Sequence, residues 1–349
     1  MLPSDLSEIT ARLKAVAPML AGRHVLITGG RGFLGRYFTQ TIAALNREGL
    51  NPPCRVTVLD SLITAGPEGR NAEDLPNCTF VPHDVILPFP MKDKVDYIFH
   101  AAGIASPFYY RAYPLKTLEV ATRGTTNMLE VAREQRSRMV FFSSSEIYGD
   151  PDPRHVPIPE SYRGNVSCQG PRACYDESKR LGETLCYIYH EQFGVSVSAI
   201  RPFNVYGPGM QESDYRVLPN FGNRIKAGQP LHLYGRGNQT RTFCYITDAI
   251  VGFFLTLLKG VPGEAYNIGN PEPEVSMLDL VKYCEKALGR KLQYQLMEYP
   301  DSYPADEPQR RCPDIRKARL QLGYEPQVEL EEGLRRFFTW SDRVYTGKA

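Results

Sequence analysis

Tyr175 and Lys179 stand four residues apart in ACYDESKR, a spacing that puts both on one face of a helix. A phenol near its ordinary pKa of ~10 is a weak base at neutral pH, and a neighbouring ammonium favours its ionised form. Such a pair can strip the proton from a substrate hydroxyl. Ser144, in SSSEIYG after a strand-like run, can hydrogen-bond the same oxygen. If that hydroxyl is to become a carbonyl, its carbon must also give up two electrons, so the constellation asks for an acceptor. Taken alone, the pair equally suits a core tyrosine beside a surface lysine, and the surrounding sequence has to decide.

The acceptor's site is written near the amino end. TGGRGFLG follows the apolar run RHVLIT and spaces Gly29, Gly32 and Gly35 as GxxGxxG at the opening of a helix. Gly29 permits the tight turn, Gly32 lets backbone approach a pyrophosphate, and Gly35 allows helix to pack on strand, while the helix start around Phe33 and Leu34 supplies unpaired N–H donors. A glycine-rich βα turn looks the same without a ligand, but Asp60 ends the next strand run, RVTVLD. A carboxylate there accepts hydrogen bonds from an adenosine ribose and repels a 2′-phosphate. NAD is expected over NADP. Asp84, beside Val85 in PHDV, is a candidate for the adenine edge or a loop-capping aspartate. Ala101 and Ala102 in AAG supply small residues beside the cofactor, and Lys179 can anchor the nicotinamide ribose.

These residues need a parallel sheet to bring them together. The runs RHVLIT, RVTVLD, VDYIFH, RMVFFS and VSVSAI alternate with helical periodicity over 33–46, 113–135 and 175–193, the pattern of βαβ units. The expected fold is α/β, a Rossmann-type doubly wound parallel sheet over 21–200, after an amphipathic helical extension at 1–20. Residues 201–349 turn rich in Gly, Pro and Tyr, with helices near 217–227, 247–259 and 277–288; they read as a smaller, mainly substrate-binding part. The segment EAYNIG is a candidate to return to the main sheet.

Composition excludes several other classes. With 349 residues, 42% of them hydrophobic, and a net charge of +2, the chain can bury a large core and lacks the field for gripping nucleic acid or an anionic membrane. Charges interrupt the first twenty residues, which argues against a signal peptide or membrane span. The eight cysteines form no CxxC pair, so reduced thiols in the cytoplasm are expected and no metal site is.

Together these features resemble the extended short-chain dehydrogenase/reductase family, whose members act on nucleotide sugars and keep NAD bound through the cycle. The segments ASPFYY, GPRACYDESKR, DYRVLPNF, GNQTRTFCYITD and DEPQRRCPDIRKA are similar to its UDP-glucuronate decarboxylase branch. That resemblance implies a UDP-sugar substrate and a homodimer built on the helices at 113–135 and 175–193. It makes Glu146 and Arg311 the residues associated with decarboxylation, Arg311 orienting the carboxylate and Glu146 handling a proton near the sugar C5. It makes Asn204 and Arg241 diphosphate ligands, with Arg216 and Tyr234 around the nucleotide. The implied cycle oxidises C4, loses carbon dioxide from the resulting β-keto acid, reprotonates C5 and reduces C4 again.

Two departures keep other outcomes open. Gly209 in RPFNVYGPGM stands where the decarboxylases carry an arginine, and DSLITAGPEGRN differs from their DNFFTGRKRN loop. A 4-epimerase, a 4,6-dehydratase and a 4-dehydrogenase share the same first step, and a non-catalytic NAD-binding module shares the glycine turn.

Overall fold

A computed structural model describes residues 1–72, 74–298 and 308–348. Asp306 and Glu307, which open the DEPQRRCPDIRKA segment, lie outside the described residues.

The apolar runs become strands β1 (His24–Thr28), β2 (Arg55–Asp60), β3 (Cys78–Pro82), β4 (Tyr97–His100), β5 (Arg138–Phe142) and β6 (Ser196–Pro202). Their spatial order is β3-β2-β1-β4-β5-β6, with Ala265–Ile268 beyond β6 as a seventh strand. All are parallel. The strand order reverses between β1 and β4, and at such a reversal the adjoining crossovers leave on opposite faces and open a crevice at the strands' carboxyl ends. EAYNIG does return to the sheet, and the Rossmann-type architecture is confirmed.

Both faces are covered because the strands are apolar on both sides. Val25, Ile27, Val140 and Phe142 point into one core, where Phe38 stacks on Phe99 at 4.4 Å and Phe254 meets Phe99 edge-on at 5.1 Å. The helices Phe33–Arg47 and Ile246–Lys259 supply Phe38 and Phe254, and β4 supplies Phe99. Leu26, Met139, Phe141 and Val197 point the other way, onto Met128, Leu129 and Cys186 from the helices Thr125–Gln135 and Ala173–Phe193.

One predicted helix is interrupted. The 113–135 stretch begins at Pro114 and passes through a π turn at Val120–Gly124. Tyr113 stays outside at φ −131° and ψ 58°, because the ring of a following proline disfavours helical backbone.

The amino-terminal extension forms the helix Pro3–Leu13 and a short turn at Ala17–Leu20. Ile9, Leu13 and Leu20 are buried, and Arg12 pairs with Asp248 at 2.6 Å, fastening the extension to the Ile246–Lys259 helix. The carboxyl-terminal part adds small sheets. In one of them Thr240–Arg241 lies between Val275–Ser276 and Arg310–Arg311, which carries Arg311 back toward the ends of the main strands.

Gly182 sets how closely the long Ala173–Phe193 helix approaches β5, since a Cβ there would lie 2.3 Å from Phe141 Cζ. Helix propensity alone favours alanine by about 1 kcal/mol, but overpacking a buried ring costs about 1–3 kcal/mol. Gly182→Ala is therefore expected to lower the urea midpoint; a raised midpoint would contradict this packing.

Candidate active site

Gly29, at the end of β1, adopts φ +72°, and a Cβ on it would come within 2.9 Å of Ala102 backbone. A Cβ on Gly35 would lie 2.2 Å from Gly29 O. The turn and the helix start thus close together only as glycines. They open onto a cavity of about 200 Å³ lined by Gly29, Gly32, Phe33, Leu34, Gly35, Asp60, Asp84, Val85, Ala101 and Ala102. Every predicted cofactor residue of β1 to β4 is on this wall.

Asp60 accepts from the backbone N–H of Arg31 at 2.9 Å and of Leu62 at 2.7 Å. Burial pushes its carboxyl up and those bonds pull it down. Each carboxylate oxygen can accept more than one hydrogen bond, so the geometry leaves room for a ribose diol. Asp84 accepts from Ile86 N–H at 3.2 Å and pairs with Lys116, so it caps its loop while also facing the cavity. A glycine-lined helix start with a carboxylate at the next strand end suits a dinucleotide's diphosphate and adenosine ribose.

Beside this cavity lies a second, of about 780 Å³, lined by Glu146, Tyr175, Asn204, Arg216, Tyr234, Arg241 and Arg311, among others. Arg216 lines both cavities. Ser144 and Lys179 line neither and stand behind Tyr175. The Ser144 hydroxyl stands near enough to the Tyr175 phenol to favour its ionised form, and it accepts from Glu146 N–H at 3.2 Å. Lys179 donates to Phe142 O at 2.7 Å, and its Nζ lies 5.7 Å from the Tyr175 ring centre. It also approaches within 3.1 Å of where a Cβ on Gly103 would stand, at the edge of the dinucleotide cavity.

Burial pushes the Tyr175 phenol up to about 12, opposed by the nearby Ser144 hydroxyl and the Arg216 charge. Burial also brings Lys179 down to about 8. The phenol is thus neutral in the protein by itself, and a positive charge arriving beside it is what would favour its ionised form.

Glu146 follows Ser144 in a short turn after β5. Arg311 grips it with both prongs, Nη1 on Oε1 and Nη2 on Oε2 at 2.7 Å, and Arg172 also donates to Oε2. Burial pushes this carboxyl up, but Arg172 and Arg311 outweigh that and hold it at about 2. Glu146 is therefore ionised here and fixes the two guanidiniums. Asn204, in left-handed backbone at φ 42°, donates to Thr242 O at 2.8 Å. Arg241 donates to Thr240 O at 2.8 Å, and Arg216 is held by Asp214.

Two wall residues escaped the sequence reading. Arg172 stands three residues before Tyr175, and Tyr110 stacks on Tyr175 at 5.4 Å with planes 13° apart. Both lie inside quoted motifs, GPRACYDESKR and ASPFYY, but the Glu146 that Arg172 meets and the Tyr175 that Tyr110 meets are far from them in sequence.

Comparison with known proteins agrees with this geometry. The NAD dependent epimerase/dehydratase family matches residues 25–269. The chain is 41% identical over 315 residues to UDP-glucuronic acid decarboxylase 1 of Xenopus tropicalis, covering 89% of this chain and 70% of that one. It is 38% identical over 311 residues to UDP-glucuronic acid decarboxylase 3 of Arabidopsis thaliana, covering 89% and 86%. Among solved structures, it resembles UDP-glucuronic acid 4-epimerase from Bacillus cereus in complex with UDP-glucuronic acid and NAD, with TM-score 0.76, 25% identity and coverage of 92% and 100%. It also resembles dTDP-glucose 4,6-dehydratase from Streptomyces venezuelae with NAD bound, with TM-score 0.78, 27% identity and coverage of 92% and 97%. The glycine turn, the Ser144, Tyr175 and Lys179 set and the sheet that carries them therefore have one origin: the chain belongs to the NAD dependent epimerase/dehydratase family.

Proposed function

We propose that this chain is an NAD-dependent decarboxylase that converts UDP-glucuronate to UDP-xylose through a 4-keto sugar. One observation carries the reading: the Arg311 guanidinium, clamped on Glu146, faces the same cavity as Tyr175. A neutral sugar needs no such cation beside the reacting carbons, whereas a uronic acid does. Relatives about 40% identical over most of the chain are UDP-glucuronic acid decarboxylases.

NAD held in the glycine-lined cavity would supply the acceptor for the two electrons that leave sugar C4 and their source when C4 is reduced again. Tyr175 takes the C4 hydroxyl proton, with Ser144 holding the same oxygen and Lys179 seated at the ribose side. Arg311 and Arg172 hold the substrate carboxylate, and Glu146 keeps both guanidiniums in place. With a carbonyl at C4, the C5–C6 bond breaks, its electron pair passes toward the carbonyl oxygen, and carbon dioxide leaves. A proton then forms the new C5–H bond. Asn204, Arg241 and Arg216 suit the diphosphate, an amide and two guanidiniums matching phosphate oxygens. Tyr234 adds an aromatic wall for the nucleotide.

A C4 epimerase acting on the same acid is the second reading, favoured by the likeness to the Bacillus cereus enzyme. Product mass separates the two, since epimerisation leaves it unchanged.

We also propose a cytoplasmic homodimer. Leu115, Leu181, Tyr187 and Phe193 are large, exposed and apolar on the two helices named for the dimer, and exposed apolar surface on such helices favours a partner. All eight cysteines are free, which suits a reducing compartment. Sedimentation as a monomer at micromolar concentration, or cell fractionation away from the cytoplasm, would contradict these assignments.

Incubation with UDP-glucuronate is expected to release carbon dioxide and yield UDP-xylose. Tyr175→Phe should lower turnover at least about 100-fold, the contribution of a positioned base, while NAD stays bound. Arg311→Lys loses the two-pronged contact and should slow carbon dioxide release more than it weakens binding of UDP-xylose, which has no carboxylate. An isomer of unchanged mass as the product would contradict the proposal.

A further inference from the structure

The cluster around Glu146 holds one acid that the chemistry so far leaves unused. Asp176 follows Tyr175 in the first turn of the long helix and is buried. Its Oδ2 lies 3.5 Å from Arg172 Nε, and its Oδ1 is buried with no hydrogen-bond partner among the described residues. Glu146, by contrast, takes both prongs of Arg311 and a further contact from Arg172. Arg172 thus serves two carboxylates unequally. Among the described residues, the charged and titratable groups around Asp176 are Glu146, Arg172 and Arg311, with the Tyr110 and Tyr175 phenols and the Cys174 thiol adjoining.

We propose that Asp176 takes up a proton when an acidic sugar nucleotide binds, so that recognition of the substrate carboxylate is linked to protonation. This inference rests on the acidic-sugar reading above. A carboxylate arriving at Arg311 adds a negative charge to a site where water screens poorly. To receive it, Arg311 must share with the newcomer a grip now given wholly to Glu146, which leaves Glu146 leaning harder on Arg172. The resident acid with the poorer contacts is the one that gives way. Protonated, Asp176 no longer needs Arg172 and gains a donor where it now has only an unpaired acceptor.

The titration behaviour agrees with the geometry. Burial and the Glu146 charge already push Asp176 up to about 7, whereas Glu146 is held at about 2. A further negative charge raises Asp176 again. Between about 7 and that higher value Asp176 is ionised in the free protein and protonated in the complex, so binding draws in a proton and weakens up to about tenfold per pH unit as pH rises. Loss of carbon dioxide from a carboxylate consumes one proton overall, and a complex formed this way already contains one. Asp176 is a positioning residue in this scheme, acting on the substrate through Arg172 and Glu146.

The test is calorimetric titration of NAD-loaded Tyr175→Phe protein, which binds without turning over, at about pH 8 in buffers of different ionisation enthalpy. UDP-glucuronate is expected to bring in most of one proton and UDP-xylose close to none. Adding Asp176→Asn should abolish the uptake and flatten the fall in UDP-glucuronate affinity between about pH 7 and 9. Absence of uptake with UDP-glucuronate, or uptake that survives Asp176→Asn, would overturn the proposal, and the first of these needs no change at Asp176. Carbon dioxide release by the unaltered enzyme without proton-linked binding defeats this inference alone. Proton-linked binding without carbon dioxide release defeats the decarboxylase reading alone.

Discussion

The ion cluster on Glu146 is the constraint on which the catalytic end of the molecule depends. Its members come from the turn after β5, the start of the Ala173–Phe193 helix and the short strand Arg310–Arg311. Taking such charges out of water costs several kcal/mol each, and only close, multiply bonded geometry repays it. The two-pronged Arg311 contact meets that condition. It also fixes the carboxyl-terminal part over the sheet, because Arg311 is placed by its pairing with Arg241, itself a wall of the larger cavity. Breaking one partner of a buried pair costs about 3–5 kcal/mol, so binding chemistry and docking of the two parts are carried by the same contacts.

Two cavities meeting at the carboxyl ends of the strands divide the work. The smaller has backbone as its wall at the first turn, since Gly29 and Gly35 leave no space for any side chain. The larger is shaped by side chains that hold one another, Arg216 by Asp214 and Glu146 by two arginines. Tyr175 stands on the wall of the larger cavity with Ser144 and Lys179 behind it. Its phenol stays neutral until a cation arrives, which ties proton removal to occupancy of the cofactor site.

Much of this was legible in the sequence, for physical reasons. A glycine turn after an apolar run, an acid at the next strand end and a four-residue tyrosine to lysine spacing are local signals, and each landed where it was expected. EAYNIG was readable as a candidate returning strand because Tyr266 and Ile268 alternate with Ala265 and Asn267 in a short run that ends at a glycine. Less legible was whatever depends on distant partners. Nothing near Arg172 announces that it shares Glu146 with a residue at 311, and nothing near Asp176 reveals that one of its oxygens goes unpaired. The break before Pro114 was visible in the proline itself, but the apolar periodicity of 113–135 hid it. Asn204 looked like a ligand or a turn-former, and it stands in left-handed backbone on the wall of the larger cavity.

The central claim is that one site oxidises C4, releases C6 and restores C4 without letting go of the sugar. UDP-glucuronate carrying carbon-13 at C6 and deuterium at C4 tests it directly, by mass spectrometry of gas and nucleotide sugar from a single incubation. The account requires the carbon-13 to leave as carbon dioxide while the deuterium stays on C4 of the UDP-xylose formed. A product that keeps the carbon-13, or loses the deuterium, would contradict it.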